Sequence, residues 1–229
     1  MPLSEPQREV ISSNKRFRVL ITGRRFGKTH VCMVEILRKA MKCDNGKIFY
    51  VSPTYRMSKE IMWKQLKKII KELRWQKYIN ETELTIVLKN NCQISLKGAD
   101  KSYDNLRGVG LNFLIMDEFA DINELAWSEV LRPTISDKHV KGNVLFVGTP
   151  KGFGNWSYEM YQKGQSDDPE WDSWKYTTLD GGQVEEYEIE QAKKDLDERS
   201  FRQEYLASFE TYSGVVYYNF SREDNIKPC

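Results

Sequence analysis

Residues 22–29 read Thr-Gly-Arg-Arg-Phe-Gly-Lys-Thr, directly after the apolar run Phe17-Arg18-Val19-Leu20-Ile21. This is a strand running into a phosphate-binding loop. Gly27 lets the backbone close on an anion with no Cβ in the way. Lys28 is placed to reach β- and γ-phosphates, and the Thr29 hydroxyl is suited to Mg²⁺. The helix that follows aims its N-terminal N–H groups at the same phosphates. Val31, Val34, Glu35, Leu37, Arg38 and Ala40 continue without Gly or Pro, as such a helix requires. The loop departs from the usual G-x-x-x-x-G-K-[ST] pattern once, with Thr22 in place of the first Gly. A turn that merely contains Gly-Lys-Thr is the bland alternative, and the flanking strand and helix argue against it.

A second half of the signature lies downstream. Leu111-Asn112-Phe113-Leu114-Ile115-Met116 is a buried-strand run that ends in Asp117-Glu118. A carboxylate at the C-terminal end of a parallel strand, beside a phosphate loop, can hold Mg²⁺ through its water shell. The next one, Glu118, can polarise an attacking water. The competing reading is an acidic start to a helix over Phe119–Val130.

With 229 residues the chain is long enough for one large α/β domain and an appendage. Apolar content of 40% and aromatic content of 12% support a packed core rather than disorder. No stretch approaches the ~20 apolar residues of a membrane span, and no N-terminal signal pattern is present. Cys32, Cys43, Cys92 and Cys229 lack CxxC spacing, and only His30 and His139 could assist them. Reduced, structural thiols in a cytosolic setting are expected. The net charge of +2 hides an asymmetry: residues 1–110 carry 23 Lys/Arg against 10 Asp/Glu, and residues 111–229 carry 12 against 23. A basic surface facing nucleic acid, opposed faces of neighbouring subunits, or neutralisation within one fold would each produce it.

The element pattern alternates. A short helix is expected over Glu5–Ser12, strands over Phe17–Ile21 and Lys47–Val51, and helices over Gly27–Lys42 and Met57–Leu73. Leu84–Leu88 and Cys92–Leu96 flank Lys89-Asn90-Asn91 as a hairpin. The strand ending in Asp117-Glu118 and a further strand, Asn143–Val147, closed by Gly148-Thr149-Pro150, complete a parallel sheet with a hairpin inserted. Beyond Pro150 come Trp156, Tyr158, Tyr161, Trp171, Trp174 and Tyr176, then helices around Glu185–Leu196 and Arg199–Ala207. These are expected to form a small subdomain over the sheet edge.

Four features bear on function. Ser4-Glu5-Pro6-Gln7 fits a helix capping box, and the Gln7 amide, with Arg8 beside it, can also face an adenine edge. Arg24 and Arg25 add cations to the loop beyond what Lys28 needs; one can meet the γ-phosphate or bridge to Glu118, or both can be solvated. Arg107, between Leu106 and Gly108, reads as a solvated loop arginine or an arginine finger. Lys64, Lys67, Lys68, Lys71 and Arg74 repeat at helical spacing opposite Met62, Leu66, Ile69, Ile70 and Leu73; a solvated face is the simpler reading, a DNA-contacting face the other.

Taken in order, Ser-Glu-Pro-Gln, Gly-Arg-Arg-Phe-Gly-Lys-Thr, Leu-Arg-Gly, Leu-Ile-Met-Asp-Glu, Gly-Thr-Pro, Phe201-Arg202-Gln203-Glu204-Tyr205 and Gly214-Val215-Val216-Tyr217 resemble the ATPase domain of tailed-bacteriophage large terminases. The resemblance implies a RecA/ASCE-like P-loop NTPase fold, with residues 1–150 as ATPase core and residues 151–229 as a lid and the start of a linker. It implies Mg²⁺-dependent ATP hydrolysis driving double-stranded viral DNA into a procapsid. Gln7, Arg8, Gly23, Arg24, Arg25, Gly27, Lys28 and Thr29 would bind nucleotide, and Thr29 and Asp117 the metal. Glu118 would be catalytic with Lys28, Arg24 acting in cis and Arg107 on a neighbour's ATP, while Thr149 would couple hydrolysis to motion. The implied partners are DNA, a portal protein, a small terminase subunit and further copies in a ring, in the host cytoplasm. Full large terminases add an RNase H-like nuclease domain with clustered aspartates. This chain ends soon after Gly214–Phe220, so no cleavage is expected of it.

Two other classes compete. A two-domain helicase shares the upstream Gln, the loop and a Thr-containing motif. Here, however, Asp117-Glu118 is followed by Phe119-Ala120, without the Asp or His usual two places on, and residues 151–229 are too few for a second RecA-like domain. A nucleotide-dependent scaffold without turnover is disfavoured by Glu118.

Overall fold

The computed structural model describes residues 2–100, 103–107, 110–137 and 140–210. The expected Gly214–Tyr217 segment, Gly108, His139 and Cys229 lie outside them. Helix α1 (Glu5–Ser12) begins with Pro6 in its first turn and with the expected capping box: Ser4 and Gln7 bond reciprocally, side chain to backbone. Strand β1 (Phe17–Thr22) leads through the loop to α2 (Lys28–Met41), and β2 (Lys47–Ser52) follows.

The next helical stretch is one run with a changed pitch. Helix α3 (Tyr55–Ser58) passes into a π-helical turn, Lys59–Trp63, and then α4 (Lys64–Glu72). Trp63 is buried in that wide turn and its indole N–H donates to Glu81 at 2.8 Å. Strands β3 (Gln76–Asn80), β4 (Thr85–Leu88) and β5 (Gln93–Gly98) form an antiparallel meander. The β4–β5 hairpin is the expected one. Strand β3 was not foreseen, because an exposed edge strand reading Gln-Lys-Tyr-Ile-Asn carries no apolar run.

Strand β6 (Phe113–Asp117) ends in the acidic pair. The continuous helix expected over Phe119–Val130 does not form. A 3₁₀ turn, Phe119–Asp121, gives way to extended backbone at Ile122, and π-helical turns resume at Ala126–Leu131, followed by the short α5 (Arg132–Thr134). The carbonyls that would continue the helix are taken elsewhere: Asn155 donates to the Ala120 carbonyl and the Trp156 indole to that of Ile122, both at 3.0 Å. The Asn123 side chain accepts from Leu125 N–H and starts the next turn.

A small β7–β8 ribbon (Ser136–Asp137, Val140–Lys141) precedes β9 (Asn143–Gly148), α6 (Trp156–Gly164) and β10 (Trp171–Tyr176). The main sheet runs β10-β1-β9-β6-β2-β5-β4-β3, parallel as far as β5. β10 therefore belongs to the sheet rather than to a layer over its edge, and pairs with β1 from Phe17↔Trp171 to Thr22↔Tyr176. Its sequence, Trp-Asp-Ser-Trp-Lys-Tyr, alternates poorly because an edge strand keeps one side wet. Trp171 nonetheless stacks on Phe17 at 4.6 Å. Helices α7 (Glu186–Asp195) and α8 (Glu198–Tyr205) follow β10.

Both faces of the central parallel strands are covered, so β6 and β9 read as nearly continuous apolar runs. One core holds Leu20, Ile48, Tyr50, Ile115 and Val147 against α2 and α4. The other holds Val19, Ile21, Leu114, Met116 and Phe146 against Trp127 and Trp156. The expected α/β sheet flanked by helices is the observed architecture.

Candidate functional site

Register brings the motifs to one end of the sheet. Ile21 stands opposite Gly148, and Asp117 opposite Val147. The loop after β1, the acidic pair after β6 and Thr149 after β9 therefore emerge together. β9 separates β1 from β6, so Thr149 stands between the loop and the acidic pair.

Gly27 is the residue before α2 and has φ 96°, a left-handed conformation that an L side chain adopts only at a cost of ~1–2 kcal/mol. Its carbonyl accepts from His30 and Val31 N–H, closing the first turn. Lys28 and Thr29 open the helix. Lys28 Nζ reaches Glu118 Oε1 at 3.4 Å, with side-chain exposures of 11% and 24%. The other oxygen of Glu118 accepts from the Thr149 hydroxyl at 3.1 Å and its N–H at 3.4 Å. One carboxylate thus ties together three sequence motifs. Glu118 holds φ 48°, ψ 44°, a strained backbone for a non-glycine residue.

Asp117 is buried, accepts from Glu118 N–H at 3.1 Å, and takes a hydrogen bond from the Tyr50 hydroxyl. Burial and then the neighbouring Glu118 charge push its carboxyl up to about 6, against the opposing pull of Tyr50 and Lys28. Tyr50 went unread in the sequence. The available signal was its hydroxyl inside the run Ile48-Phe49-Tyr50-Val51, since a buried phenol needs a partner.

The remaining predicted residues take other positions. Gln7 is 1% exposed; its oxygen accepts from Ser4 N–H at 3.1 Å and its nitrogen donates to the Phe26 carbonyl at 2.8 Å. Both ends of the amide therefore serve the chain itself. Arg8 is exposed and donates to the Leu3 carbonyl. Gly23 N–H donates to the Tyr176 carbonyl at 3.0 Å. Arg24 forms an ion pair with Glu204 of α8 rather than with Glu118, and its N–H donates to the Glu204 carbonyl at 2.7 Å. Arg25 is exposed with φ 61°. Arg107 is exposed on the segment before β6.

Comparison with known proteins gives the family. The family described as terminase large subunit, T4likevirus-type, N-terminal, matches residues 19–224. The terminase large subunit of Escherichia phage T5 is 32% identical over 216 residues, covering 93% of this chain and 48% of that protein. The corresponding subunit of Thermus phage G20c is 25% identical over 237 residues, covering 90% and 48%. The chain spans about half the length of the curated relatives it matches. Among solved structures, the large terminase ATPase domain of Thermus phage P74-26 superposes with TM-score 0.77 at 25% identity, over 89% of this chain and 92% of that one. The large terminase of another thermophilic bacteriophage, in complex with ATP-gamma-S, gives 0.77 at 19% identity, over 99% and 58%, a likeness of fold.

Proposed function

The chain belongs to the terminase large-subunit family, in the N-terminal part of its T4likevirus type, and from that premise we propose that it hydrolyses ATP to drive double-stranded viral DNA into a procapsid. The observation that supports this best is the convergence of Lys28 and Thr149 on the Glu118 carboxylate beside the buried Asp117. Gly27, Lys28 and the N-terminus of α2 hold the phosphates. Lys28 exchanges Glu118 for phosphate oxygens, which leaves Glu118 Oε1 to accept a proton from the attacking water. Gln7 holds the loop through Phe26, and Arg24 and Arg25 supply further positive charge at its rim.

Asp117 and Thr29 suit Mg²⁺, which takes hard oxygen donors and keeps several waters. When bound, the ion neutralises charge on the phosphates. Tyr50 would hold the Asp117 carboxylate in place through its hydrogen bond. Arg107 is proposed as a residue supplied to a neighbouring subunit's site, with portal protein and small subunit as the assembly's other partners.

Glu118→Gln tests the chemistry. It keeps size and removes the basic oxygen, so nucleotide should still bind while steady-state turnover falls by at least ~100-fold. Lys28→Ala should weaken nucleotide binding itself. Turnover near that of the unmodified protein in Glu118→Gln would refute the assignment.

A further inference from the structure

The segment after β10 lies directly against the phosphate loop. Thr178 is buried; its hydroxyl donates to the Arg24 carbonyl and its N–H to the Tyr205 carbonyl, each at 2.8 Å. The 3₁₀ turn Leu179–Gly181 then presses on the loop so closely that a methyl group at Gly181 would stand 2.5 Å from Phe26 Cα and its carbonyl oxygen. Gly182, at φ 64°, redirects the chain and delivers Gln183. A methyl group at Gly27 would lie 2.5 Å from Gln183 Nε2 and 2.6 Å from Gln7 Nε2. Two amides thus converge on the loop glycine from separate elements.

They are not equivalent. The Gln7 amide is buried and engaged at both ends. Gln183 is exposed, and among the described residues its amide makes no hydrogen bond. Its flank matters too. In the sheet order, β10 lies on one side of β1 while β9 and β6, with Thr149 and Glu118, lie on the other. A triphosphate on this loop with its γ end toward Glu118 has its nucleoside on the opposite flank, where Gln183 stands.

We propose that Gln183 is a nucleotide-binding residue whose amide reads the adenine edge, a role that rests on the loop being the ATP site. A glutamine amide offers a donor and an acceptor side by side, matching adenine N7 and N6–H₂; guanine presents two acceptors at the same edge and leaves the amide oxygen facing one of them. The test is calorimetric titration of the full chain, with Mg²⁺, using ATPγS, GTPγS and inorganic tripolyphosphate. The unmodified protein should prefer ATPγS over GTPγS. Gln183→Ala should lose roughly tenfold in ATPγS affinity, keep its tripolyphosphate affinity, and lose most of that preference. Gln183→Glu, which exchanges the donor for an acceptor, should behave likewise at nearly constant shape. Unchanged ATPγS binding in both variants would overturn the proposal. So would equal weakening of all three ligands, which would make Gln183 a support of the loop, or an unmodified protein that binds both nucleotides alike. Lys28→Ala with undiminished binding of every ligand would overturn the ATP-site reading itself, a different failure.

Discussion

Arg18 of β1 and Glu35 of α2 form an ion pair with side-chain exposures of 1% and 0%. Arg18 also donates to the Val10 carbonyl at 3.0 Å, and Arg38 meets the second Glu35 oxygen at 2.7 Å. Removing one member of a buried pair strands the other. Arg18→Met should destabilise the fold by ~3 kcal/mol, at the lower end for such breaks because Arg38 remains. Arg18→Met combined with Glu35→Leu should recover most of that loss, as chemical denaturation would report. Lys39 borders this cluster. Burial, and then the Arg18 charge, lower its pKa from 10.5 to about 8. Between about pH 8 and 10.5 the unfolded chain therefore binds more protons at this residue than the folded one, and stability from Lys39 rises with pH. Lys39→Met has no such group. Its stability relative to the unmodified protein should be highest below pH 8 and fall as pH approaches 10.5, read from paired unfolding curves. Gly27, Lys28, Asp117 and Glu118 were legible because phosphate and metal chemistry demand those residue types at fixed offsets. Tyr50, Glu204 and Gln183 were not, because each meets its partner through sheet register or a loop contact across the fold, with no spacing along the chain to signal it.

At the level of elements, Thr149 is where β9 meets the acidic pair. Its hydroxyl and N–H both reach Glu118, and the chain beyond it is fastened to the turn after β6 through Lys151–Asp121 at 3.1 Å and Asn155–Ala120. A change at Glu118 therefore has a short covalent and hydrogen-bonded route into α6. Phe153 then packs against Tyr158 at 4.9 Å and Phe209 at 6.3 Å, and α8 reaches back to the loop through Glu204 and Arg24. Thr149→Val removes the hydroxyl bond and keeps the shape and the N–H contact. Nucleotide affinity should hold within about twofold, since the hydrogen bond lost is to Glu118 and the loop groups that hold phosphate are unchanged. If the proposed packaging role holds, a motor assembled with this variant should consume more ATP per length of DNA, and unchanged stoichiometry would remove Thr149 from the coupling route. The buried parallel strands were legible as apolar runs flanked by turn signals. The breaks were not: the failed helix after Glu118 is set by Asn155 and Trp156 taking its carbonyls, and β3 and β10 are edge strands whose wet sides dilute the pattern.

For the whole molecule, the order β10-β1-β9-β6 leaves the loop flanked by the chain's own segments on both sides, while Arg107 is exposed on the segment before β6. An arginine that acts on transferred phosphate has to reach it, and an exposed arginine on a surface segment is suited to the site of a neighbouring copy. A head-to-tail ring places unlike surfaces of one protein together. The excess of Lys/Arg in residues 1–110 and of Asp/Glu in residues 111–229 suits such a heterologous contact. That charge division was plain in the sequence, whereas its use was not, because ion pairs within one chain such as Arg16–Glu170 and Arg24–Glu204 absorb part of it. Mixing separates the two readings. Arg107→Ala and Glu118→Gln should each be nearly inactive alone. In a mixed ring some sites combine an intact Glu118 with an intact Arg107 from the neighbour, so random assembly of equal amounts should restore roughly a quarter of the unmodified rate per site if the arginine acts only across one interface. Arg107 acting within its own chain, or only on folding, predicts a mixture no more active than its components under conditions where rings form and exchange, and ATPase assays on such mixtures decide between them.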